Sequence, residues 1–295
     1  MSTVSIRNTG VHAITIPALA VVAVVTQVPL VFTLILSFIR WIIVRPDQGI
    51  TFVGLDNYVR LLTSGAFYHV VFNTAFMTVA SLSLCTLLGI AFGLMLNRQF
   101  PGVNIVRTIV IAPFFIMDAV AGILWRTLML NSSFGINAFL TTLVGVEPVD
   151  FLGAHALATI VMLITWQWTP FFVLIILAGL QSISEEILDS GRVDGANWFQ
   201  TLFSIRIPLI MHHIEVAILL GVIFILKVFG LIFVTTSGGP GIASSNLPYH
   251  VYRRAFLGWN VGEAAAIAVV TVVITLLVIV LLFRWFRRRF SEAPA

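Results

Sequence analysis

Two charged side chains stand inside otherwise apolar runs of the chain. Asp118 lies in the run 105–128 and Lys227 in the run 211–234. A charge at the middle of a bilayer costs a few kcal/mol or more, so it normally faces the protein interior or water. Two arrangements fit. The two charges pair with each other, or they line a polar pathway and bind hydroxyl groups. Asp118 is 13 residues into its run. At about 1.5 Å per residue, a continuous helix puts it near the midplane. Trp125, seven residues on, falls on nearly the same helical face. Trp166, Gln167 and Trp168 cluster in a fourth run. Flat apolar faces of sugars and polyols stack on indole rings while an amide bonds their hydroxyls. Anchoring at a membrane interface is the competing role for these tryptophans.

Other chemistry has little to stand on. His12, His69, His155, His212, His213 and His250 sit near run ends or in loops. His212 and His213 are adjacent, point to different helix faces and make a poor metal pair. No nucleophile, base and orienter combination stands out. Cys85, the only cysteine, sits in an apolar run and cannot form a disulfide within the chain. Lys227 is the only lysine and follows Leu226, so there is no G-x-x-x-x-G-K-[ST] phosphate loop. If ATP drives this protein, ATP and Mg are bound by another subunit. Neither a cofactor nor a metal site is expected here.

The elements that hold these residues are membrane spans. The chain is 59% hydrophobic and 9% charged, with a mean hydropathy of +1.07. Soluble domains carry about a quarter charged residues. Six spans of sufficient length are readable, at about 13–39, 70–96, 105–128, 155–180, 211–234 and 261–283. The first is too long for a signal-peptide core and lacks a small-x-small cleavage site, so it reads as an uncleaved span. The fold class is therefore all-α: a polytopic membrane protein, with residues 1–12 as a tail and 13–290 as the membrane domain. Residues 129–154 read as a polar loop and 235–260 as a Gly/Pro/Ser-rich one. No basic and aromatic run lies outside the spans, so a nucleic-acid partner is not expected.

With both termini inside, nine arginines fall inside: Arg7, Arg98, Arg107, Arg192, Arg206, Arg284, Arg287, Arg288 and Arg289. Six fall outside: Arg40, Arg45, Arg60, Arg126, Arg253 and Arg254. The positive-inside rule then places both termini in the cytoplasm.

One charged, helix-patterned segment stands between spans, Ser182 to His212. Ser182 and Glu185 have capping-box spacing. Ile187, Leu188 and Gly191 share a face. Asp194-Gly195 breaks the pattern, with Asp194 able to cap a second helix. Trp198, Leu202 and Ile205 form the next apolar side, flanked by Phe199 and Phe203. Pro208 disfavours helix at Ile207 and can open the following span. Two short amphipathic helices at 182–207, on the cytoplasmic side, are the expectation.

This segment resembles the "EAA" coupling loop of permease subunits of bacterial ATP-binding-cassette importers of the carbohydrate class. Asp189, Ser190 and Gly191 stand at the E-A-A positions, and Asp194-Gly195-Ala196 matches the family's D-G-A in full. Leu202 stands where Phe is usual, Ile205 and Pro208 match, and His212 replaces a second Pro. A second match covers Lys227-Val228-Phe229, Thr235-Thr236-Ser237-Gly238-Gly239-Pro240-Gly241, Asn246-Leu247-Pro248-Tyr249 and Tyr252-Arg253-Arg254-Ala255-Phe256. It resembles the fifth-span and outer-loop signature, closest to the sugar-alcohol branch. Gly230 replaces an acid that the family often has after the Phe. Gly54-Leu55-Asp56-Asn57-Tyr58 is similar to the string before the family's second span.

The resemblance implies one half of a pore in a bacterial inner membrane. The implied partners are a second homologous permease, an ATP-binding subunit dimer, a periplasmic or extracellular solute-binding protein, and a carbohydrate or polyol solute. Glu186, Asp189, Gly191, Asp194, Gly195, Ala196, Trp198, Leu202 and Pro208 would then couple to the ATPase. Exposed apolar groups such as Leu188, Trp198 and Leu202 would insert into its groove. The competing reading is a self-sufficient secondary transporter using Asp118 as a proton or sodium site. A membrane-embedded enzyme has only His212-His213 in its favour.

Overall fold

A computed structural model describes residues 9–291, with side chains described over 16–287. Arg7, most of the expected tail, and the side chains of Arg288 and Arg289 lie outside that description. The chain divides into two compact units, one ending at Ser64 and resuming over Val251–Thr271, the other Gly65–His250 and from Val272 onward.

In the first unit, α1 (Thr9–Ser37) carries Pro17 and Pro29 inside it. It leads to a two-stranded antiparallel ribbon, β1 (Ile39–Arg40) and β2 (Thr51–Phe52), with Ile39 opposite Phe52. This ribbon is the one departure from the all-α expectation among the described residues. Ile42 also bridges Asn260. Then comes α2 (Asp56–Leu62), opened by Gly54 at φ +55°. Buried Asn57 donates to the carbonyls of Ser37 and Ile39, both at 2.9 Å. That bond pair fixes the turn that the Gly54–Tyr58 string announces.

The second unit starts with α3 (Gly65–Leu96) and α4 (Val103–Ile111), the latter prolonged by a 3₁₀ turn over Ala112–Phe115. After a break come α5 (Asp118–Ile123), continued by a π turn over Leu124–Met129, and α6 (Ile136–Val144). The expected polar loop at 129–154 thus contains a nine-residue helix, stopped by Gly145 at φ +76°. Its apolar residues are bracketed by Asn131-Ser132-Ser133 and Glu147–Asp150, which make the whole stretch look polar. The long α7 (Ala156–Gln181) follows, with Pro170 inside it. Next are α8 (Glu185–Val193), α9 (Trp198–Gln200), a π turn over Thr201–Arg206, and α10 (Ile207–Leu209). The unit continues with α11 (Met211–Ile225), α12 (Gly230–Thr235) and α13 (Leu247–Tyr252), and α14 (Val261–Ser291) closes the described chain.

Four of these helices are long and apolar enough to cross a membrane: within α1, α3, α7 and α14. Counting each of two bent pairs as one span would raise the number to at most six among the described residues, and the second pair joins Trp198–Leu209 of the hairpin segment to Met211–Ile225. The third expected span is one of these pairs. It is not a continuous helix: Val103–Phe115 meets Asp118–Met129 at 99°. Ile116 and Met117 are extended at the corner (ψ 127° and 142°). Reckoning the depth of Asp118 at 1.5 Å per residue therefore fails, because the chain turns just before it. The fifth span is also interrupted. α11 ends at Ile225, and helix resumes only at Gly230. Hydropathy averages over such breaks, because Ile116 and Met117 are apolar and the single Lys227 of the second break is outweighed by its neighbours.

The core of the second unit is a close approach of α3, α7 and α11 through small residues. A Cβ on Gly89 would lie 2.8 Å from Phe172 Cβ, and one on Gly93 3.2 Å from Ile176 Cγ2. Gly89-x-x-x-Gly93 thus lets α3 seat against α7, as small residues do between helices in lipid. On its other side, the fully buried Phe172 ring fills the space left by Gly221 of α11. Cys85 is buried in the same cluster, as a packing residue.

The outer segment after α12 is folded into this unit rather than lying as a plain surface turn. Buried Asn73 of α3 points its amide nitrogen at the carbonyls of Ile242, Ala243 and Ser245, at 3.0, 3.0 and 3.3 Å. Thr74 Oγ1 accepts from the Leu247 backbone at 3.0 Å. Asn246 donates to the Val228 carbonyl at 2.6 Å and accepts from the Tyr249 backbone at 3.0 Å. Gly238 (φ +73°) is buried, and a side chain there would strike Ser245 and Tyr249. Each buried carbonyl left unsatisfied costs about 1–3 kcal/mol. Asn73→Leu should therefore lower the thermal midpoint of the purified protein by several degrees. It should also open the Ile242–Ser245 segment to thiol labelling of an introduced cysteine. An unchanged midpoint with no new labelling would show that the loop is held by other contacts.

Candidate substrate pathway and coupling hairpin

The breaks in the third and fifth spans meet. α5 and α12, the helical pieces that follow them, lie against each other through small residues. A Cβ on Gly122 would sit 3.1 Å from Val234 Cβ, and one on Gly230 would sit 3.0 Å from Asp118 Cβ. Arg126 Nη1 reaches across and donates to the Val234 carbonyl at 2.9 Å. Gly230, the position where the sequence departs from the family pattern, is thus the space beside which the Asp118 side chain stands.

Asp118 does not pair with Lys227. Its Oδ1 accepts from Gln167 Nε2 at 3.0 Å, and the same nitrogen donates to the Ile116 carbonyl at 2.8 Å. Gln167 is buried, at 5% exposure, and Asp118 is half-buried. Among the described residues Oδ2 of Asp118 accepts no hydrogen bond. Lys227 is exposed, with Nζ 5.1 Å from the centre of the Phe224 ring. A short residual helix after each break, rather than one straight rod, separates the two charges that a uniform helix would let approach.

Three consecutive α7 residues serve three directions, as steps of about 100° require. Gln167 faces the break at Ile116. Trp166 meets Trp125 edge-on, with centroids 5.3 Å apart. Trp168 stacks on Phe224 at 5.1 Å and also touches Phe114 and Phe171. Its indole N–H is buried without a partner among the described residues. All six pathway candidates therefore lie on or beside α7, but as two aromatic groups flanking the Asp118–Gln167 pair. One buried acid escaped the sequence reading: Glu215 of α11, at 6% exposure. Its position four residues past the expected start of a span was the available signal.

α8 and the α9–α10 helix form the expected hairpin. The chemistry of Asp194-Gly195-Ala196 is a helix stop. Gly195 N–H bonds the Arg192 carbonyl at 3.0 Å, and Ala196 N–H bonds the Gly191 carbonyl at 2.9 Å. This is the Schellman pattern, which needs a left-handed residue, and Gly195 has φ +78°. Asp194 is the C-cap of α8 rather than a cap for the next helix. That role falls to Asn197, which forms a full capping box with Gln200 (2.8 and 2.9 Å). The expected Ser182–Glu185 box is also absent. Ser182 ends α7 and bonds the Gly179 carbonyl at 2.8 Å, and Ser184 precedes α8.

Pro208 does not stop the helix at Ile207, which keeps helical angles (φ −59°, ψ −47°). The wide π turn over Thr201–Arg206 relaxes the turn before the proline. The bend, 63°, falls at Ile210 instead, and His212 lies in the first turn of α11. Gly191 is buried where the two helices meet, and a Cβ there would lie 2.6 Å from Ile205 Cδ1. Leu202 is largely buried too, at 8% exposure, and packs mainly against this chain. The apolar groups that are presented are Ile187, Val193, Trp198, Phe199 and Phe203. Glu186 and Asp189 are exposed, and Asp189 pairs with Arg192 at 2.7 Å.

Residues 86–292 match the family of binding-protein-dependent transport system inner membrane components. A probable ABC transporter permease protein of Sinorhizobium fredii, y4oQ, is 36% identical over 96% of this chain and 92% of its own length. The trehalose/maltose transport system permease protein MalF of Thermococcus litoralis is 34% identical over 92% of each. In fold, a bacterial alginate ABC transporter, solved with an alginate pentasaccharide-bound periplasmic protein, superposes with a TM-score of 0.81. At 22% identity the match covers 98% of this chain and 97% of that one. The helix-stop hairpin between two spans and these full-length likenesses lead to one conclusion: this chain belongs to the binding-protein-dependent transport system inner membrane components.

Proposed function

We propose that this chain is the permease subunit that passes a carbohydrate, in the sugar or sugar-alcohol size range, through an ATP-driven importer. The observation that carries the solute path is the meeting of two broken spans at Asp118 and Gly230. There a carboxylate oxygen is left open between two aromatic groups. Hydroxyls of a sugar suit that oxygen, and its apolar faces suit the indole rings. The curated relatives include permeases named for trehalose, maltose and sn-glycerol-3-phosphate, which favours the carbohydrate class.

The coupling follows from connectivity. α7 carries Gln167 and the two tryptophans and runs directly into α8. The α9–α10 helix runs directly into α11, which ends beside Phe224 and Lys227. Moving the α8–α10 hairpin as one piece therefore acts on both walls of the pathway. The mover is an ATPase dimer that binds ATP and Mg, seated on the hairpin's exposed residues. This chain supplies no cofactor or metal of its own. A second permease completes the pore, and a solute-binding protein delivers the sugar at the outer face. The setting is the inner membrane, with both termini and the hairpin in the cytoplasm.

The test is reconstitution in liposomes with the co-purified ATPase, second permease and binding protein. Labelled trehalose, maltose and sorbitol are offered with and without internal ATP. Uptake of one of them that needs ATP and the binding protein, and ignores a protonophore, is the expected result. Uptake by this chain alone, abolished by the protonophore, would reinstate ion-coupled transport.

A further inference from the structure

An apolar groove of about 450 Å³ runs between the end of α3 and the α9–α10 helix. Ile90, Ala91, Leu94 and Met95 line it, along with Trp198 and Leu202. Its polar lining consists of two arginines, Arg98 and Arg206. No acid lines it, and neither guanidinium group has an ion-pair or hydrogen-bond partner among the described residues. Both arginines line the same groove. Burial first, then the charges of Arg192 and Arg98, hold Arg206 below its ordinary value. Arg107, by contrast, is used internally: its Nη2 donates to the Leu96 carbonyl at 2.7 Å. Asp189 of the same hairpin is already bound to Arg192. A folded chain that gathers positive charge without compensation leaves room for an anion from outside.

The groove has the two-part chemistry of one ligand. From Ile90 to Arg98 the α3 face runs for about 12 Å, an apolar strip ending in guanidinium groups. We propose that this groove holds one anionic phospholipid of the leaflet on the coupling-hairpin side. Its phosphodiester would lie between Arg98 and Arg206 and one acyl chain along Ile90, Leu94 and Met95. Guanidinium forks match phosphate oxygens in a paired way that ammonium does not. Basic pockets at the ends of membrane helices bind such headgroups. The lipid would wedge α3 against the coupling hairpin, so that the hairpin moves relative to a fixed neighbour. A zwitterionic lipid adds an ammonium to a site that already has surplus positive charge, and so binds less well.

The test is native mass spectrometry of the purified assembly, released from bilayers of phosphatidylcholine with a quarter phosphatidylglycerol. Wild type should retain at least one phosphatidylglycerol per copy of this chain, with little phosphatidylcholine in its place. Arg98→Gln/Arg206→Gln should retain at least tenfold less, while Arg98→Lys/Arg206→Lys should keep part of it. Equal retention of both lipids by wild type would overturn the proposal without reference to any variant. So would undiminished phosphatidylglycerol on a folded double glutamine variant. Lipid retained only when this chain is purified without the ATPase, and absent from the full assembly, would assign the groove to the ATPase and also overturn it.

Discussion

Gly191→Leu should reduce ATP-driven uptake at least tenfold while leaving the membrane-embedded helices folded. The Cβ alone would stand 2.6 Å from Ile205 Cδ1, at the point where α8 and the α9–α10 helix touch. Extra carbon atoms at a closed contact cost about 1–3 kcal/mol. The hairpin can escape that cost only by splaying. A splayed hairpin presents Ile187, Val193 and Phe203 to the ATPase at altered spacings, and its motion no longer reaches α7 and α11 together. Gly191→Ala should be mild, because the opposing atom is the mobile end of an isoleucine. Gly195→Ala differs in kind. Nothing lies within 4 Å of its Cβ, so only the left-handed backbone is strained, at about 1–2 kcal/mol. The measurement is uptake together with ATPase activity in the reconstituted assembly. Gly191→Leu should hydrolyse ATP without transport or lose the ATPase, with a melting temperature near wild type. Full transport in Gly191→Leu would mean that the hairpin does not act as a rigid unit.

Asp118→Asn should lower solute uptake by about 10–100-fold, the range expected for a hydrogen bond to a charged acceptor worth 1.5–3 kcal/mol. The amide oxygen of asparagine still accepts from Gln167, so the corner at Ile116 keeps its brace and the protein should be made in normal amounts. What changes is the open oxygen facing the pathway: its charge is lost, and an amide nitrogen can occupy that place. Gln167→Leu should be worse for folding, since it removes two bonds, of 2.8 and 3.0 Å, at a buried site. Comparing solute affinity and maximal uptake for both variants separates contact with the solute from support of the corner. Wild-type affinity and uptake in Asp118→Asn would remove Asp118 from the pathway.

The sequence by itself determined the class of protein and the existence of the hairpin segment between two apolar runs. Runs of about 20 apolar residues can satisfy their backbone in lipid only as helices, so the four long spans and their order were readable. The D-G-A stop was readable because a left-handed turn needs glycine, and a lone lysine without a phosphate loop sent ATP elsewhere. Tertiary structure decided what was not local. The corner at Ile116–Met117 is invisible to hydropathy, since apolar residues occupy broken and straight helices alike, and one lysine does not reveal the break at Leu226–Phe229 in a window average. These breaks placed Asp118 against Gln167 and Gly230 rather than against Lys227. The caps moved from Ser182 and Asp194 to Asn197 because several residues of capping type compete within a short segment, and packing chooses among them. Leu202 turned inward, although its spacing is the same as that of an exposed stripe, because an amphipathic pattern shows that a face is covered and not what covers it. The role of Gly191 likewise depends on a side chain fourteen residues away, and that distance closes only when the hairpin has folded.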